Sequence, residues 1–219
     1  MLVGSTFKLS ETTVAILAGG LGTRLRAAVG DHPKVLAKVN GRPFLAWLLE
    51  YLEGFGLKQV VLCTGYKAEE VESTVGRSFS GLSILHSRES SPLGTGGALR
   101  QALPFLRSGR ILVLNGDSFC DVDLEAFGAF HTARCGRASL ALAQVEDARR
   151  YGRVQLNDED QITEFSEKGS AIGPGWINAG VYLFDLPLIE ALPANTALSL
   201  ERELLPLWIP QGVHGFKTT

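Results

Sequence analysis

The chain has 219 residues, of which 45% are hydrophobic and 20% are charged, a balance typical of a globular domain with a large core. Its formal net charge of −2 argues against a broad basic surface for a nucleic acid polymer but allows a local anion site. No apolar run reaches the ~20 residues of a membrane span, and the first residues lack the apolar core of a signal peptide. These features predict a cytoplasmic protein with no membrane partner.

The cysteines and histidines give no indication of a metal centre. The three cysteines are Cys63, Cys120 and Cys135, and there are four histidines. Neither set has the spacing of metal ligands, so no zinc site is expected. We interpret the cysteines as reduced packing residues, which is consistent with a reducing cytoplasm.

Strand-like runs alternate with helical patterns over the first 150 residues. The predicted strands are 13–17, 59–63, 82–86, 110–114 and 139–145. The predicted helices lie within 43–56, 67–76, 95–106 and 123–136, where apolar residues recur at helical spacing or cap residues bound the segment. Such alternation predicts an α/β fold, a Rossmann-like and mostly parallel sheet with helices on both faces. Ligands of these sheets bind beyond the carboxyl ends of the strands.

The pattern changes at Tyr151. Strand-like segments follow at 151–157, 162–168 and 176–184, with turns rather than helices between them. They predict an antiparallel excursion laid on the first sheet. A last helix is predicted over 199–209, with Ser199 as its cap and Pro206 late in it.

A glycine-rich stretch, LAGGLGTRL at residues 17–25, directly follows the first predicted strand. It lacks the Gly-Lys-Ser/Thr ending of a P-loop, and Leu25 stands where a dinucleotide fingerprint needs its third glycine. Successive backbone N–H groups of such a loop can bind an anion, and Arg24 and Lys34 would add positive charge. The alternative is a tight strand–helix turn in which Arg24 and Lys34 are ordinary surface residues.

Asp117, in LNGDSF, follows the most apolar predicted strand. A carboxylate at that place, without a nearby set of histidines or cysteines, suits Mg²⁺, which takes oxygen ligands and substrate phosphates. A turn or helix-cap aspartate is the structural alternative.

Two further segments have polar or glycine-rich patterns that favour ligand binding. SPLGTGGALR, residues 91–100, opens a predicted helix, and helix N-termini favour anions. Glu167 and Lys168 end one strand of the excursion and Asn178 begins the next, which suits hydroxyl and phosphate groups. A loop entering a helix and a solvated Glu-Lys pair are the alternatives.

In chain order, LAGGLGTRL, PKVLAKVNGRP, PLGTGGAL, NGDSF, RYGRV, FSEK and INAGVYLF resemble the motifs of the sugar-1-phosphate nucleotidyltransferases. The resemblance implies one domain, 1–219, with a nucleotide-binding part at about 11–150 and a sugar-phosphate-binding part at about 151–219. It implies that a sugar 1-phosphate attacks the α-phosphorus of a nucleoside triphosphate and releases pyrophosphate, with Mg²⁺ as the cofactor. Self-association into a homo-oligomer is common among such enzymes.

The same resemblance assigns roles to single residues. Arg24 would clamp the triphosphate, Lys34 would neutralise charge at the α-phosphate, and Asp117 would hold Mg²⁺. The nucleotide would lie against Leu17, Ala18, Gly19, Gly20, Gly22, Thr23, Gly94, Thr95 and Gly96. The sugar phosphate would lie against Gly152, Glu167, Lys168, Asn178 and Gly180. The nucleophile is already an anion, so no protein base is expected.

Within the family, the chain most resembles the branch that guanylylates D-glycero-α-D-manno-heptose 1-phosphate, on VNGRPFL, PLGTGGAL, LNGDSFCDVDL and INAGVYLF. Mannose-1-phosphate guanylyltransferases and uridylyl- or thymidylyltransferases are the alternatives within the enzyme class. A non-catalytic nucleotide-sugar-binding regulatory protein is the alternative outside it, and the presence of Arg24, Lys34, Asp117 and Lys168 counts against it.

The sequence departs from the family pattern at two places. RLRAAVGDHPK lacks the proline that often follows the loop arginine, a change that the heptose-type branch tolerates. The family also carries a second metal-binding aspartate in a segment that follows a strand like VHGFKTT. That ligand is therefore expected beyond Thr219, or else the Mg²⁺ site is completed differently.

Overall fold

The computed structural model describes residues 7–20, 32–166 and 173–218. Its strands are β1 Thr13–Ala18, β2 Lys38–Val39, β3 Arg42–Pro43, β4 Gln59–Thr64, β5 Ser78–Phe79, β6 Leu82–Arg88, β7 Arg110–Asn115, β8 Ala138–Val145, β9 Arg153–Leu156, β10 Ile162–Ser166, β11 Gly175–Asp185 and β12 Val213–Lys217. Its α-helices are α1 Phe44–Gly54, α2 Ala68–Val75, α3 Gly94–Ala102, α4 Leu124–Arg134, α5 Leu186–Glu190 and α6 Leu205–Trp208. Short 3₁₀ turns cover Leu9–Glu11, Lys34–Leu36, Leu103–Phe105, Ala148–Arg150 and Ile209–Gln211.

One large sheet organises the molecule. Its order is β10-β9-β11-β7-β1-β4-β6-β5, and β8 pairs with β11 and with β12. Strand β1 pairs in parallel with β4 and β7, and β4 pairs in parallel with β6. Strands β1, β4 and β7 are nearly continuous apolar runs, because both of their faces are covered. The structure thus confirms the predicted α/β fold with a mostly parallel half.

The antiparallel excursion is also confirmed, and the structure shows where it joins the parallel half. Strand β11 is antiparallel to β7, β8 and β9, and it lies between β7 and β8. Strand β8, which follows β7 in the chain, is therefore separated from it by a strand that comes later. Because β11 pairs both with β7 of the parallel half and with β8 and β9 of the excursion, its residues extend from the excursion to the carboxyl end of β7.

Alternate residues of the parallel strands point into two separate cores. In β1, Ala15 packs with Leu99 of α3 on one face, whereas Val14 and Ile16 pack on the other face with residues of α1, α2 and α4. This alternation follows from the two-residue period of a strand. It leaves the ends of the strands, rather than their faces, for a ligand.

The predicted helix over 199–209 does not form as one regular helix. A π-helical turn covers Leu200–Leu204, then α6 begins, and a 3₁₀ turn follows. Pro206 has no N–H to bond to the preceding turn, which disfavours a continuous α-helix there. The predicted cap is confirmed, since the Ser199 side chain accepts the N–H of Arg202 at 3.2 Å.

All three cysteines are free thiols. Cys63 is buried in β4, and burial raises the pKa of its thiol to about 12. Cys120 is half-buried, whereas Cys135 is exposed in a left-handed conformation that ends α4. Cys135 is therefore a helix-ending residue rather than a core residue.

Within the three described ranges, no helix has both the length and the apolar character needed to span a bilayer.

Candidate active site

A cleft of about 620 Å³ lies at the carboxyl ends of β1, β4, β6 and β7. Residues from all four strand ends line it, together with the first residues of α3. Glu201, which comes 106 positions after Thr95 in the chain, also lines it. Its lining includes Leu17, Ala18, Gly19, Gly20, Lys34, Gly65, Glu89, Gly94, Thr95, Asn115, Asp117 and Glu201. Eight predicted residues therefore come together in one cavity, at the edge where such sheets bind ligands.

Lys34 and Asp117 face each other at one end of this cleft. Lys34 Nζ lies 3.1 Å from Asp117 Oδ2, and the side chains are 22% and 48% exposed. The turn that carries Asp117 is held by Gly116, whose N–H donates to the Leu17 carbonyl at 2.9 Å. A Cβ at Gly116 would lie 2.8 Å from that oxygen, so only glycine allows this close approach. The two charges neutralise each other and remain accessible to an anionic ligand.

Asp117 fits the role of a single magnesium ligand. Among the described residues, no three His, Cys, Asp or Glu side chains form a preformed metal cage. Mg²⁺ is commonly held by one or two carboxylates, with phosphate oxygens and water completing its shell. The half-exposed carboxylate of Asp117 can supply one such oxygen, and a triphosphate would supply others.

Of the predicted glycine loop, Gly19 and Gly20 are described, whereas Gly22, Thr23 and Arg24 lie outside the described residues. The Gly19 carbonyl accepts the N–H of Tyr66 at 3.4 Å, which ties the end of β1 to the end of β4. A Cβ on Gly19 would stand 3.0 Å from Glu89 Oε1. Backbone therefore forms this part of the cleft wall.

The second glycine-rich segment packs against the chain around Leu198. The Leu198 carbonyl accepts the N–H of Gly96 at 2.8 Å, so this protein carbonyl occupies a donor that a bound anion could use. Gly94 has a φ of +68° and lines the cleft together with Thr95. Gly96 lies behind them, where a Cβ would stand 2.5 Å from Leu204 Cδ1. Gly96 is thus a packing residue beside the cleft.

A polar network joins this segment to the antiparallel excursion. Thr95 Oγ1 donates to Glu201 Oε2 at 3.1 Å, and the Tyr182 hydroxyl donates to Glu201 Oε1 at 3.0 Å. Asn178 Nδ2 donates to the same hydroxyl at 2.8 Å, and Asn115 Nδ2 does so at 3.4 Å. Tyr182 is fully buried, and that burial raises the pKa of its hydroxyl well above the ordinary value. It therefore stays protonated and orients Glu201 in the cleft.

The predicted sugar-phosphate residues are partly outside the described ranges. Glu167 and Lys168 are not described. Asn178 is held by the Gly152 carbonyl, which accepts its N–H at 3.0 Å. Gly180, at a φ of +78°, allows β11 to pass so near the Asp117 turn that a Cβ there would lie 2.7 Å from Ser118 Oγ. Gly152 and Gly180 thus shape the strands near the cleft without lining it.

Sequence reasoning missed Glu89, Tyr182 and Glu201. Glu89 Oε2 accepts the N–H of Leu93 at 2.9 Å, and burial raises the pKa of its carboxyl above the ordinary value. Tyr182 lies inside the motif INAGVYLF, so the sequence could have indicated it as a site residue. Glu201 sits in a charged stretch that is typical of an exposed helix, and no local signal distinguishes it.

Residues 13–204 match the model of the nucleotidyl transferase family. This match covers most of the chain, and the chain therefore belongs to that family.

The relatives of this chain include guanylyltransferases for two sugar phosphates. It is 39% identical over 189 residues to the D-glycero-alpha-D-manno-heptose 1-phosphate guanylyltransferase of Campylobacter jejuni, covering 86% of this chain and 83% of that protein. It is 35% identical over 203 residues to the mannose-1-phosphate guanylyltransferase of Mycobacterium tuberculosis, covering 92% of this chain but 56% of that protein. The crystal structure of HddC from Yersinia pseudotuberculosis superposes with a TM-score of 0.84 at 33% identity, over 94% of this chain and 90% of that one. HddC was also crystallised in complex with GMP-PN.

Proposed function

We propose that this protein transfers a guanylyl group from GTP to D-glycero-α-D-manno-heptose 1-phosphate, forming GDP-heptose and pyrophosphate. The observation that carries the proposal is the meeting of Lys34 and Asp117, 3.1 Å apart, in a cleft at the strand ends of a nucleotidyl transferase fold. The heptose-type relative from Campylobacter jejuni supports the choice of substrates, since it matches over most of both chains.

The chemistry needs alignment and charge neutralisation more than proton transfer. The sugar phosphate is already an anion, so its oxygen attacks the α-phosphorus of GTP directly and the P–O bond to pyrophosphate breaks. Lys34, which is held beside Asp117, would move its ammonium group to the α-phosphate, and Arg24 would bind the triphosphate. Mg²⁺, when bound through Asp117, supplies positive charge to the phosphates.

The two substrates would enter from opposite sides of the Lys34–Asp117 pair. GTP would lie along Gly19, Gly20, Gly94 and Thr95, where backbone rather than side chains forms much of the wall. The heptose phosphate would approach from the excursion, near Asn178 and the residues Glu167 and Lys168. We place this reaction in the cytoplasm, where GTP is supplied.

Mannose 1-phosphate is the second candidate acceptor, because the mycobacterial relative that bears this activity in its name is 35% identical over 203 residues. A heptose 1-phosphate differs from it by one additional hydroxylated carbon. Discrimination between the two therefore depends on residues that contact that carbon.

The test is pyrophosphate release in the presence of Mg²⁺, with GTP, UTP, dTTP, ATP and CTP each combined with heptose, mannose and glucose 1-phosphates. We expect release with GTP and the heptose phosphate. Release with GTP and mannose 1-phosphate alone would replace the acceptor, and a productive pair without GTP would reject guanylyl transfer. No release from folded protein would reject the activity.

Variants with matched controls test the two charged residues. Lys34→Ala should lower kcat at least a hundredfold, as loss of a transition-state contact does, whereas Lys58→Ala changes an exposed lysine outside the cleft and should not. Asp117→Asn should abolish the response of the rate to Mg²⁺, with Asp158→Asn as its exposed control. A normal Mg²⁺ titration of the Asp117 variant would exclude that residue as a metal ligand.

A further inference from the structure

Glu201 brings a carboxylate into the cleft without a cation to neutralise it. Its side chain is half-buried, and it lines the cleft. Of the described residues that line the cleft, Lys34 is the one cation, and it pairs with Asp117. The side chains that hydrogen-bond to Glu201 are uncharged hydroxyl groups, those of Thr95, Tyr182 and Ser199. A phosphate would be repelled from this place, whereas a neutral ligand with hydroxyl groups can donate to the carboxylate.

One acceptor site of the Glu201 carboxylate is left for such a ligand. Oε2 accepts the hydroxyl groups of Thr95 at 3.1 Å and Ser199 at 3.3 Å, which use both of its acceptor sites. Oε1 accepts the Tyr182 hydroxyl at 3.0 Å and keeps its second site. Because Tyr182 belongs to β11, the oxygen with the free site is the one on the side of the antiparallel excursion. This is the side from which the sugar phosphate is proposed above to approach.

The distance from Glu201 to the reacting groups fits the length of a sugar. Asn115 Nδ2 lies 3.4 Å from the Tyr182 hydroxyl oxygen, which lies 3.0 Å from Glu201 Oε1. Asn115 precedes Asp117 by two residues, which corresponds to about 7 Å of extended chain. The free acceptor site is therefore separated from the Lys34–Asp117 pair by about the length of one sugar unit. A sugar whose phosphate lies at that pair would bring its far end to Glu201.

We propose that Glu201 recognises the exocyclic side chain of the acceptor sugar, with Oε1 accepting a hydroxyl group of C6 or C7. The proposal rests on the transfer reaction proposed above. In D-glycero-α-D-manno-heptose 1-phosphate this side chain carries two hydroxyl groups and extends from the ring at a distance from the phosphate. It rotates about the C5–C6 bond, so it can direct a hydroxyl group at a single fixed acceptor. Ring hydroxyl groups lack that freedom.

The residues around Glu201 hold its carboxylate in one orientation. Tyr182 is fully buried, accepts Asn178 Nδ2 at 2.8 Å and donates to Glu201 Oε1. Thr95 holds the other oxygen and accepts the N–H of Leu200 at 2.7 Å. The carboxylate is thus fixed from both sides and cannot turn to follow another ligand. An acceptor that lacks a hydroxyl group at this place would take water from Oε1 and leave it without a donor, which lowers affinity.

The test is calorimetric binding of two acceptors to protein saturated with Mg²⁺ and the unreactive analogue α,β-methylene GTP. The acceptors are heptose 1-phosphate and D-rhamnose 1-phosphate, a 6-deoxymannose phosphate whose side chain has no hydroxyl group. The proteins are the wild type, Glu201→Gln and Glu203→Gln. Glutamine at position 201 keeps the shape and one carbonyl oxygen for the Tyr182 hydroxyl. Glu203 is exposed on the same turn and accepts the N–H of Ser199 at 2.8 Å, so its variant controls for disturbance of the turn.

The wild type and Glu203→Gln should bind heptose 1-phosphate at least about tenfold more tightly than D-rhamnose 1-phosphate, which is the contribution of one charge-assisted hydrogen bond. Glu201→Gln should bind heptose 1-phosphate about tenfold more weakly and bring the two affinities within about threefold of each other. The affinity of all three proteins for the GTP analogue should be the same.

Three results would overturn the proposal. Glu201→Gln may weaken both acceptors by the same factor, as expected if the carboxylate binds a ring hydroxyl group. It may keep the wild-type ratio and lose affinity for the GTP analogue, as expected if the carboxylate binds the ribose. The third result is a wild type that binds the two acceptors equally, and this comparison needs no variant.

The GTP analogue does not react, so the binding assay is independent of the transfer reaction. A protein that distinguishes the two acceptors through Glu201 but releases no pyrophosphate from GTP with any acceptor would reject the proposed transfer and support this assignment. Pyrophosphate release with the same preference for heptose 1-phosphate in the wild type and in Glu201→Gln would support the transfer and reject the assignment.

Discussion

Gly20 and Gly97 belong to two glycine-rich segments that both border the cleft, one after β1 and one at the start of α3. Among the described residues, a Cβ at Gly20 would meet nothing within 4 Å, whereas a Cβ at Gly97 would stand 2.4 Å from the Thr196 carbonyl oxygen. Gly20 lines the cleft, and no described side chain or backbone atom fills the space where its Cβ would stand. Gly97 allows two parts of the same chain to approach each other.

This difference shows that glycine content alone does not identify a ligand-binding loop. The sequence TGGALR predicts donors for an anion at the start of a helix. In the structure the Leu198 carbonyl accepts from Gly96, and Leu198 N–H donates to the Leu93 carbonyl at 2.8 Å. The second segment thus has a large structural role, and its contribution to the cleft comes from Gly94 and Thr95.

The largest effect on stability is expected from Gly97→Ala. The new methyl group would collide with backbone at Thr196 and with Leu93 Cβ at 2.9 Å, and overpacking of this kind costs about 1–3 kcal/mol. Urea unfolding measures the change. Gly109→Ala is the control, since no described atom lies within 4 Å of its Cβ position and such changes stay within about 0.5 kcal/mol. Equal stability of the two variants would contradict the packing role of Gly97.

Thr95→Val should have the next largest effect. The Thr95 hydroxyl donates to Glu201 at 3.1 Å and accepts the N–H of Leu200 at 2.7 Å. Valine keeps the shape but leaves both partners without this contact, which costs about 1–2 kcal/mol. The free energy of unfolding should fall by that amount in Thr95→Val and recover in Thr95→Ser, which restores the hydroxyl. A serine variant as unstable as the valine variant would show that the methyl group matters instead.

Gly20→Ala should leave stability within about 0.5 kcal/mol of the wild type, because no described atom lies within 4 Å of its Cβ position. It should weaken GTP binding by about threefold to tenfold, up to ~1.4 kcal/mol, if that space belongs to the nucleotide. Calorimetry measures the affinity of Gly20→Ala for GTP, once the variant has been shown to be folded. Unchanged affinity would remove Gly20 from the nucleotide site and reduce the contrast between the two segments.

The smallest effect on stability is expected at Glu89, whose carboxylate contacts both glycine-rich segments. Its Oε1 lies near Gly19, and its Oε2 accepts the N–H of Leu93. Because the pKa of its carboxyl is raised in the folded state, that state binds more protons than the unfolded state as the pH falls towards the ordinary value of 4.5. The wild type should therefore gain stability relative to Glu89→Gln on acidification from pH 7. A gap between their urea midpoints that does not depend on pH would contradict the raised pKa.

The sequence was sufficient to predict most secondary structure and eight of the residues that line the cleft at the strand ends. Strand β1 is a continuous apolar run over Val14–Ile16, and helix α4 has its own cap in Asp123, which accepts the N–H of Ala126 at 2.9 Å. The order of motifs along the chain likewise identified Lys34 and Asp117 before their contact was known. These features are local in the chain and can be recognised from sequence.

Only the tertiary structure decided which distant residues share the cleft. Thr95 and Glu201 are separated by 106 positions and meet because the π-helical turn packs onto the start of α3. Strand β11 enters between β7 and β8, and this places Tyr182 between Asn178 and Glu201. Glu89 resembles any charged loop residue until Gly19 is found beside it. Such contacts depend on how elements pack over long sequence separations, and neither composition nor periodicity records that packing.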